Sequence, residues 1–323
     1  MNINENIKSC YVAGHNGMVG SSIVRMLKKD FPCIEIIVSE KNELNLLDQN
    51  KVNNFIKQKK PDLVFIAAAK VGGILSNKTY PAEFLYENSM IQNNIIHSCY
   101  VNKVFNILFL GSSCIYPKYS NQPIKESELL TGPLEETNEA YALAKILGIR
   151  MCHFYNKQYG TNYKALMPTN LYGEGDNYHP EDSHVIPGLI RRFHDAKIQS
   201  IPKVNVWGSG KALREFLYVD DLAKASLFVA LSKNKALDDV FMQSNSFINI
   251  GSGKEISICE LALKISKLVK YEGQITFDTN KPDGTPRKLL DSSLIGSLGW
   301  KTEVSLKEGL KKTYNFFKLQ NKY

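Results

Sequence analysis

The sequence predicts a doubly wound α/β fold, in which helices cover both faces of a parallel sheet, followed by a smaller C-terminal α+β domain. Short apolar runs alternate with helical patterns up to residue 172, and a glycine-rich turn separates the first strand from the first helix. Strands of a parallel sheet are buried on both faces, so they read as continuous apolar runs. The alternation therefore predicts one such sheet within residues 1–172.

This first part contains five predicted strands and four predicted helices. The strands are "IKSCYVAG", "IEIIV", "DLVFIAAA", "FNILFLG" and "YKALMP". The helices carry apolar residues at helical spacing, and they are "NGMVGSSIVRMLKKD", "QNKVNNFIKQKK", "PAEFLYENSMIQNNIIHSCYVN" and "NEAYALAKILGIRMCHFYNKQYG". The last helix closes at Gly160, a residue type favoured directly after a helix end.

After residue 172 the alternation loosens. Four helices are predicted at "HVIPGLIRRFHDAK", "DDLAKASLFVALS", "SICELALKISKLV" and "SLKEGLKKTYNFFKL", with short strands at "VNVWG", "FINIG" and "QITFD". We therefore expect one domain over residues 1–172 and a smaller one over residues 173–323, with some of the later segments returning to the first domain.

Composition excludes several classes of protein. The 323 residues are 43% hydrophobic and 22% charged, which is ordinary for a soluble globular protein. No run approaches the roughly 18 apolar residues that a membrane helix needs. The start, "MNINENIKSC", lacks the basic and apolar regions of a signal peptide. We expect a cytoplasmic protein with no membrane partner.

Cysteines and charges narrow the range further. The six cysteines are scattered without a Cys-x-x-Cys pair, so neither a disulfide framework nor a metal site is indicated. The net charge is +8, but basic residues are interleaved with acidic ones, and no Lys/Arg block exceeds about three residues. This pattern favours an anionic small molecule over nucleic acid as the partner.

The turn "GHNGMVG" is the first chemical signal. Its glycines, Gly14, Gly17 and Gly20, follow a predicted strand and open a predicted helix. Glycine lets the backbone turn tightly and approach a pyrophosphate, and a helix N-terminus offers free N–H groups. The context indicates dinucleotide binding and hence a Rossmann-type domain.

Tyr141 and Lys145 are the second signal. Residues four apart share one face of a helix, so a phenol and an ammonium can meet one substrate. A nearby positive charge is expected to lower the pKa of the phenol. Alone, the pair is more typical of a half-buried aromatic and a solvated charge. Together with the glycine turn and Ser112, which ends the fourth strand, it indicates carbonyl reduction.

These motifs resemble the extended short-chain dehydrogenase/reductase family. Further matching segments run along nearly the whole chain: "AAAKVGGI", "LGSSCIYP", "MPTNLYG", "SHVIPGLIRRFH", "VWGSG", "REFLYVDD" and "KPDGTPRKLLD". The resemblance implies an NAD(P)-binding Rossmann domain and a C-terminal domain for a nucleotide sugar. It also implies a homodimer joined through helices of the first domain, and NADPH-dependent 3,5-epimerisation and C4 reduction of a GDP-4-keto-6-deoxy sugar.

The same resemblance assigns roles to residues. Ser112 would hydrogen-bond the sugar ketone, and Tyr141, assisted by Lys145, would supply a proton during reduction at C4. Cys114 would remove the proton next to the ketone, and His184 would return one on the opposite face. Taken alone, Cys114 is more typical of a small buried residue, and His184 of a helix start or a surface.

Binding residues follow in the same way. Those implied for the cofactor are Gly14, Asn16, Gly17, Met18, Val19, Gly20, Lys41, Ala68, Tyr141, Lys145 and His184. Those implied for the GDP-sugar are Ser112, Ser113, Asn170, Arg192, Trp207, Arg214 and Lys288, whose cations would neutralise the diphosphate.

One departure from the family concerns the cofactor. Many relatives place arginine in the glycine turn and after the second strand, where it can hold the 2′-phosphate of NADPH. Here Asn16 and "SEKN" occupy those places, and Glu40 lies 20 residues after Gly20, where an acidic residue can bind a ribose 2′-hydroxyl. Lys41 remains a candidate partner for a phosphate. NADPH is expected from the resemblance, and NADH stays open.

Other functions also stay open at this level. A C4 reductase acting on an already epimerised hexose or heptose would need the same Ser112, Tyr141 and Lys145. A non-catalytic NAD(P) sensor would keep the glycine turn without needing the catalytic set, and a nucleic-acid-binding protein would explain only the charge.

Overall fold

The computed structural model describes residues 4–180, 182–243, 246–281 and 283–320. Twelve strands and eleven α-helices are found in these ranges. In chain order they are β1 (Ser9–Ala13), α1 (Met18–Asp30), β2 (Glu35–Ile37), α2 (Gln49–Lys59), β3 (Leu63–Ile66), α3 (Ile74–Thr79), α4 (Pro81–Val101), β4 (Asn106–Leu110), α5 (Glu139–Tyr159), β5 (Asn162–Pro168), β6 (Asn170–Tyr172), α6 (Val185–Ile198), β7 (Lys203–Trp207), β8 (Leu213–Tyr218), α7 (Val219–Leu231), α8 (Lys235–Gln243), β9 (Phe247–Ile250), β10 (Glu255–Ser257), α9 (Ile258–Val269), β11 (Gln274–Asp278), β12 (Arg287–Lys288), α10 (Ser293–Ser297) and α11 (Leu306–Gln320).

The main sheet confirms the predicted fold class. Six parallel strands lie in the order β2-β1-β3-β4-β5-β9. The order reverses at β1, which pairs with β2 on one side and β3 on the other. In an open α/β sheet, ligands bind in the crevice at the carboxyl ends of the strands where the order reverses. The fold thus places a site beyond Ala13 and Ile66, the last residues of β1 and β3.

Both faces of this sheet are buried, as a doubly wound fold requires. Alternate residues of β1 enter different hydrophobic clusters. Tyr11 and Ala13 belong to the cluster formed with α2, α4 and α5, and Cys10 and Val12 to the one formed with α1 and α7. The later elements α7 and β9 therefore belong to the layers of the first sheet.

The remaining C-terminal elements form a smaller mixed unit around β8. This strand pairs antiparallel with β10 and parallel with β12 and β6, while β7 and β11 form a separate parallel pair. Helices α6, α9 and α11 contribute to a third hydrophobic cluster with these strands.

Every helix and strand expected from the sequence is present. Seven further elements had no sequence prediction, and most are short: α3, α8, α10, β6, β8, β10 and β12. Strand β8, "LREFLY", escapes a pattern-based prediction because two charged residues interrupt its apolar run. Within the described ranges, no helix is long and apolar enough to cross a bilayer.

Candidate active site

The glycine turn has the shape that a dinucleotide needs. Gly14 lies at φ +85°, and a Cβ there would lie 2.6 Å from the backbone nitrogen of Ala68. A Cβ on Gly20 would lie 2.1 Å from the carbonyl oxygen of Gly14. A side chain at Gly14 would therefore push the turn away from Ala68, and a side chain at Gly20 would push α1 away from the turn. The turn fits a pyrophosphate, because Gly17 caps α1 and the first helical N–H groups stay available for an anion.

Glu40 lies against this turn. The Asn16 side-chain amide donates to Glu40 Oε2 at 2.8 Å, and His15 Nε2 lies 3.2 Å from Glu40 Oε1. Lys41, implied as a phosphate ligand, is an exposed neighbour. The carboxylate therefore lies beside the glycine turn, at the place where the turn would hold a dinucleotide.

The chain turns sharply after β4 and places the Cys114 thiol close to the carboxyl end of that strand. Ser112 caps a single 3₁₀ turn, Ser113–Ile115, and its Oγ accepts a hydrogen bond from the Cys114 N–H at 3.4 Å. Ser113 and Cys114 are buried. A short capped turn therefore holds a hydroxyl and a thiol side by side at the carboxyl end of the strand.

Helix α5 places its phenol and ammonium at the same strand end. Lys145 is buried, donates from Nζ to the carbonyl oxygen of Leu110 at 2.8 Å, and lies 5.6 Å from the ring centroid of Tyr141. Leu110 is the last residue of β4. The expected Tyr141–Lys145 pair thus reaches the turn that carries Ser112.

The electrostatics of this pair correct one expectation. The pKa of the Tyr141 phenol is raised rather than lowered, because burial penalises the phenolate. Burial likewise lowers the pKa of Lys145 to about 8. Desolvation is the largest cause of both pKa shifts. Tyr141 is consequently protonated at neutral pH, which is the state a proton donor needs.

Cys114 has two lysines in its electrostatic environment. Burial raises the pKa of its thiol, and the charges of Lys288 and Lys145 together with the Ser112 hydroxyl oppose that rise. Among the opposing effects Lys288 is the largest. Lys288, implied at the diphosphate, therefore also stabilises negative charge on the Cys114 sulfur.

His184 enters from the second unit. It directly precedes α6 as the N-cap residue and is exposed. The segment before His184 contacts the loop that follows β3, because the Gly73 N–H donates to Asp182 Oδ1 at 3.2 Å. Although solvent reaches the ring, surrounding protein partly desolvates it and lowers the pKa of the imidazole.

The remaining implied substrate residues lie on β6, α6, β7, β8 and β12. The Arg192 guanidinium lies 4.6 Å from the ring centroid of Trp207. Arg214 is the register partner of Lys288, and its Nη2 donates to the carbonyl oxygen of Asp283 at 2.8 Å. The Asn170 side-chain amide donates to the carbonyl oxygen of Glu215 at 2.9 Å.

Three described cations of this region form no salt bridge, although the charges of Asp283 and Glu135 act on Arg214 and that of Glu135 acts on Lys288. Among the described residues, Arg192, Arg214 and Lys288 form no salt bridge. Desolvation lowers the pKa of all three side chains. Partly buried cations whose charge is only partly offset are costly unless an anion neutralises them, so the arrangement is suited to a diphosphate.

Glu215 is a residue that sequence reasoning missed. It is fully buried and accepts hydrogen bonds from the backbone N–H groups of Gly253 at 2.7 Å and Leu290 at 3.0 Å. It therefore fixes β8 to the chain that follows β12, and so positions Arg214 and Lys288. A carboxylate directly before the apolar residues "FLY" was the available signal.

Comparison with known proteins finds relatives that match nearly the whole chain. The model of the NAD dependent epimerase/dehydratase family matches residues 10–251. GDP-L-fucose synthase of Escherichia coli (strain K12) is 53% identical over 307 residues, which cover 95% of each chain. A GDP-6-OMe-4-keto-L-xylo-heptose reductase from C. jejuni is 36% identical with a TM-score of 0.90, covering 99% of this chain and 100% of that one. The GDP-mannoheptose C4 reductase from Campylobacter jejuni, solved with NADP bound, is 37% identical with a TM-score of 0.88, covering 98% and 99%.

Proposed function

Because the chain belongs to the NAD-dependent epimerase/dehydratase family, we propose that it epimerises C3 and C5 of a GDP-4-keto-6-deoxy sugar and then reduces C4. The relative from Escherichia coli is a GDP-L-fucose synthase. The observation that carries the proposal is the Cys114 thiol, which shares its electrostatic environment with Tyr141 and Lys145. Reduction alone needs no base at that position, whereas epimerisation does.

Epimerisation uses the acidity that the C4 ketone gives to C3 and C5. The Cys114 thiolate removes a proton from one of these carbons, and the electron pair moves onto the ketone oxygen. The Ser112 hydroxyl stabilises that oxygen by a hydrogen bond. His184 then returns a proton to the opposite face, and its lowered pKa makes its protonated form a stronger acid. Cys114 then releases its proton to solvent and His184 takes one up, so the cycle can run again at the second carbon and both centres invert.

Two lysines favour ionisation of the Cys114 thiol. A buried thiol resists ionisation, and nearby positive charge offsets that penalty. Lys288 and Lys145 are the two cations that act on Cys114 in this way. Their charges therefore support proton removal, in addition to any contact with the sugar nucleotide.

Reduction uses the other groups at the end of β4. Bound NAD(P)H supplies the hydride that C4 receives. Tyr141, protonated because burial raises its phenol pKa, gives its proton to the sugar oxygen. Lys145 stabilises the phenolate that remains, since its Nζ lies 5.6 Å from the ring centroid. NADPH use is supported by the NADP in the Campylobacter jejuni relative.

Three cations that form no salt bridge among the described residues support a GDP-sugar as the substrate. Arg192, Arg214 and Lys288 supply guanidinium and ammonium donors for a diphosphate. The exposed ring of Trp207 stacks on Arg192 and, 5.3 Å away, meets Lys281. This charged aromatic surface is suited to the nucleotide half of the substrate.

A homodimer through α4 and α5 is part of the proposal. Leu143, Leu147 and Phe154 form one stripe along α5 and are 43%, 40% and 50% exposed. Val101 of the adjoining α4 is 52% exposed. Exposed apolar stripes on packed helices typically mark protein interfaces. A second copy of the same two helices would cover the stripe in a four-helix arrangement.

Product analysis tests the proposed function. The purified protein is incubated with GDP-4-keto-6-deoxymannose and a reduced dinucleotide, and proton coupling constants of the product assign C3, C4 and C5. We expect GDP-L-fucose. A product reduced at C4 without inversion would identify a C4 reductase that relies on a separate epimerase, and absence of turnover with both dinucleotides would overturn the substrate assignment.

A further inference from the structure

We propose that Asp182 is a positioning residue for His184: it attaches the segment before that histidine to the loop after β3, and its carboxylate favours the protonated imidazole. The inference rests on the proposed function, because it concerns the group that returns a proton during epimerisation. It is carried by the hydrogen bonds on both sides of Asp182, by its place two residues before His184 and by its charge.

Asp182 joins the C-terminal unit to the first sheet. The Gly73 N–H donates to Asp182 Oδ1 at 3.2 Å, and Gly73 lies on the loop between β3 and α3. The approach is close, since a Cβ on Gly72 would lie 2.9 Å from the same oxygen and a Cβ on Gly73 would lie 3.1 Å from the Ser183 carbonyl oxygen. Side chains at these two positions would push the segment away. The loop therefore fits the two residues that precede His184.

Asp182 is also held from within its own segment. The Asp182 N–H donates to His179 Nδ1 at 3.2 Å, and the Asn177 side-chain amide donates to the Asp182 carbonyl oxygen at 3.3 Å. The backbone and the side chain of Asp182 are therefore both engaged. His184 follows in an extended conformation as the N-cap of α6, and its side chain does not cap the helix. The location of the imidazole thus depends on where Asp182 is held.

Asp182 supplies a negative charge that acts on the His184 ring. Desolvation lowers the pKa of the imidazole, and the Asp182 carboxylate opposes this by raising it. Among the described charged groups, Asp182 is the one that acts on this ring. Arg191 of α6 pairs with Asp195 and donates to the Tyr178 carbonyl oxygen, which offsets its own charge. More of His184 therefore carries a proton at a given pH than desolvation alone would allow.

The two effects of Asp182 serve one step of the reaction. His184 must lie on the face of the sugar opposite Cys114, and it must hold a proton when the enolate forms. The hydrogen bond from Gly73 serves the first need, and the carboxylate charge serves the second. Substitution can separate them, because asparagine in place of Asp182 keeps an oxygen that accepts from the Gly73 N–H but carries no charge.

Titration of His184 tests the charge independently of turnover. Histidine is labelled with carbon-13 in the full chain, and His184→Gln identifies its signal among the six histidines. We expect Asp182→Asn to lower the pH at which His184 titrates. Inversion at C3 and C5 of GDP-4-keto-6-deoxymannose should slow by about two- to five-fold at mildly alkaline pH. The loss should disappear as the pH falls, because both proteins then hold protonated His184.

Asp182→Ala tests the attachment to the loop. It removes the acceptor for the Gly73 N–H as well as the charge, so it should slow inversion by about ten-fold, and this loss should persist at low pH. Asp239→Asn removes an exposed acid from α8 and is the matched control, which should change neither the titration nor inversion. Thermal unfolding of each variant checks that it is folded.

An unchanged His184 titration in Asp182→Asn would overturn the inference, as would an Asp182→Ala variant that matches Asp182→Asn at every pH. A chain whose His184 titration shifts as expected but that inverts no GDP-4-keto sugar would support the effect of Asp182 on His184 and overturn the proposed function. Inversion of the sugar with an unchanged titration in Asp182→Asn would do the reverse.

Discussion

Replacing Lys145 by methionine should disable reduction by removing the charge that stabilises the Tyr141 phenolate. The Lys145 Nζ lies 5.6 Å from the phenol ring centroid. With the phenolate charge placed at the ring centroid and an effective dielectric constant of about 20, the two unit charges interact by about 3 kcal/mol. An increase of that size in the barrier slows the chemical step by roughly 100-fold. Methionine keeps much of the buried volume, so the loss should lie in catalysis rather than folding.

Single-turnover oxidation of the reduced dinucleotide measures this step directly. Lys157→Met, which removes an exposed lysine from the same helix, is the control and should react normally. The pH profile adds a second readout. Because burial lowers the pKa of Lys145 to about 8, the rate of the unaltered protein should fall as the pH rises through that value, and the Lys145→Met variant should lack this decline. A folded variant that loses less than about five-fold in rate would refute this role for the charge.

Three further predictions concern proton removal, stability and assembly. Lys288→Met should slow solvent exchange at C3 and C5 by about ten-fold, because loss of the Lys288 charge raises the pKa of the Cys114 thiol and leaves less thiolate; proton NMR measures the exchange. Glu215→Gln should lower the free energy of unfolding by about 2 kcal/mol, because it weakens buried backbone hydrogen bonds; urea unfolding measures the loss. Phe154→Glu should yield a monomer, as light scattering after size-exclusion chromatography would show.

Each of these has its own control. Lys281→Met removes a charge beside Trp207 and should alter KM while leaving exchange and reduction in their normal ratio. If it matches Lys288→Met in exchange, the role of Lys288 at the thiol is wrong. Glu272→Gln changes an exposed residue and should leave the free energy of unfolding unchanged. If Glu215→Gln lowers it no more than Glu272→Gln does, the argument from burial is wrong. Met242→Glu, on an exposed part of α8, should leave the oligomeric state as it was.

Features fixed by local chain geometry were predictable from the sequence. The glycine turn requires a left-handed residue at Gly14 and close approach at Gly20, and both requirements appear as glycine spacing. Tyr141 and Lys145 meet because helical spacing places them on one face, and Ser112 lies where an apolar strand ends. Such relations span only a few residues, so a single sequence reveals them.

Relations between distant segments were not predictable in this way. Lys288 acts on Cys114 because a two-residue strand, β12, pairs with β8, and no local pattern indicates that pairing. The pKa of Tyr141 depends on how completely the fold excludes water, which residue spacing does not determine. The sequence did place an acid at Glu40, but its contacts with His15 and Asn16 required the structure.

Counting solvent deuterium in the product tests the central claim most directly. The protein converts GDP-4-keto-6-deoxymannose in deuterium oxide with an undeuterated reduced dinucleotide, and mass and NMR spectra locate deuterium at carbon. If Cys114 and His184 invert both centres before reduction, the product carries one deuteron at C3 and one at C5, and Cys114→Ser abolishes both. A reduced product with only protium at C3 and C5 would contradict epimerisation by this chain.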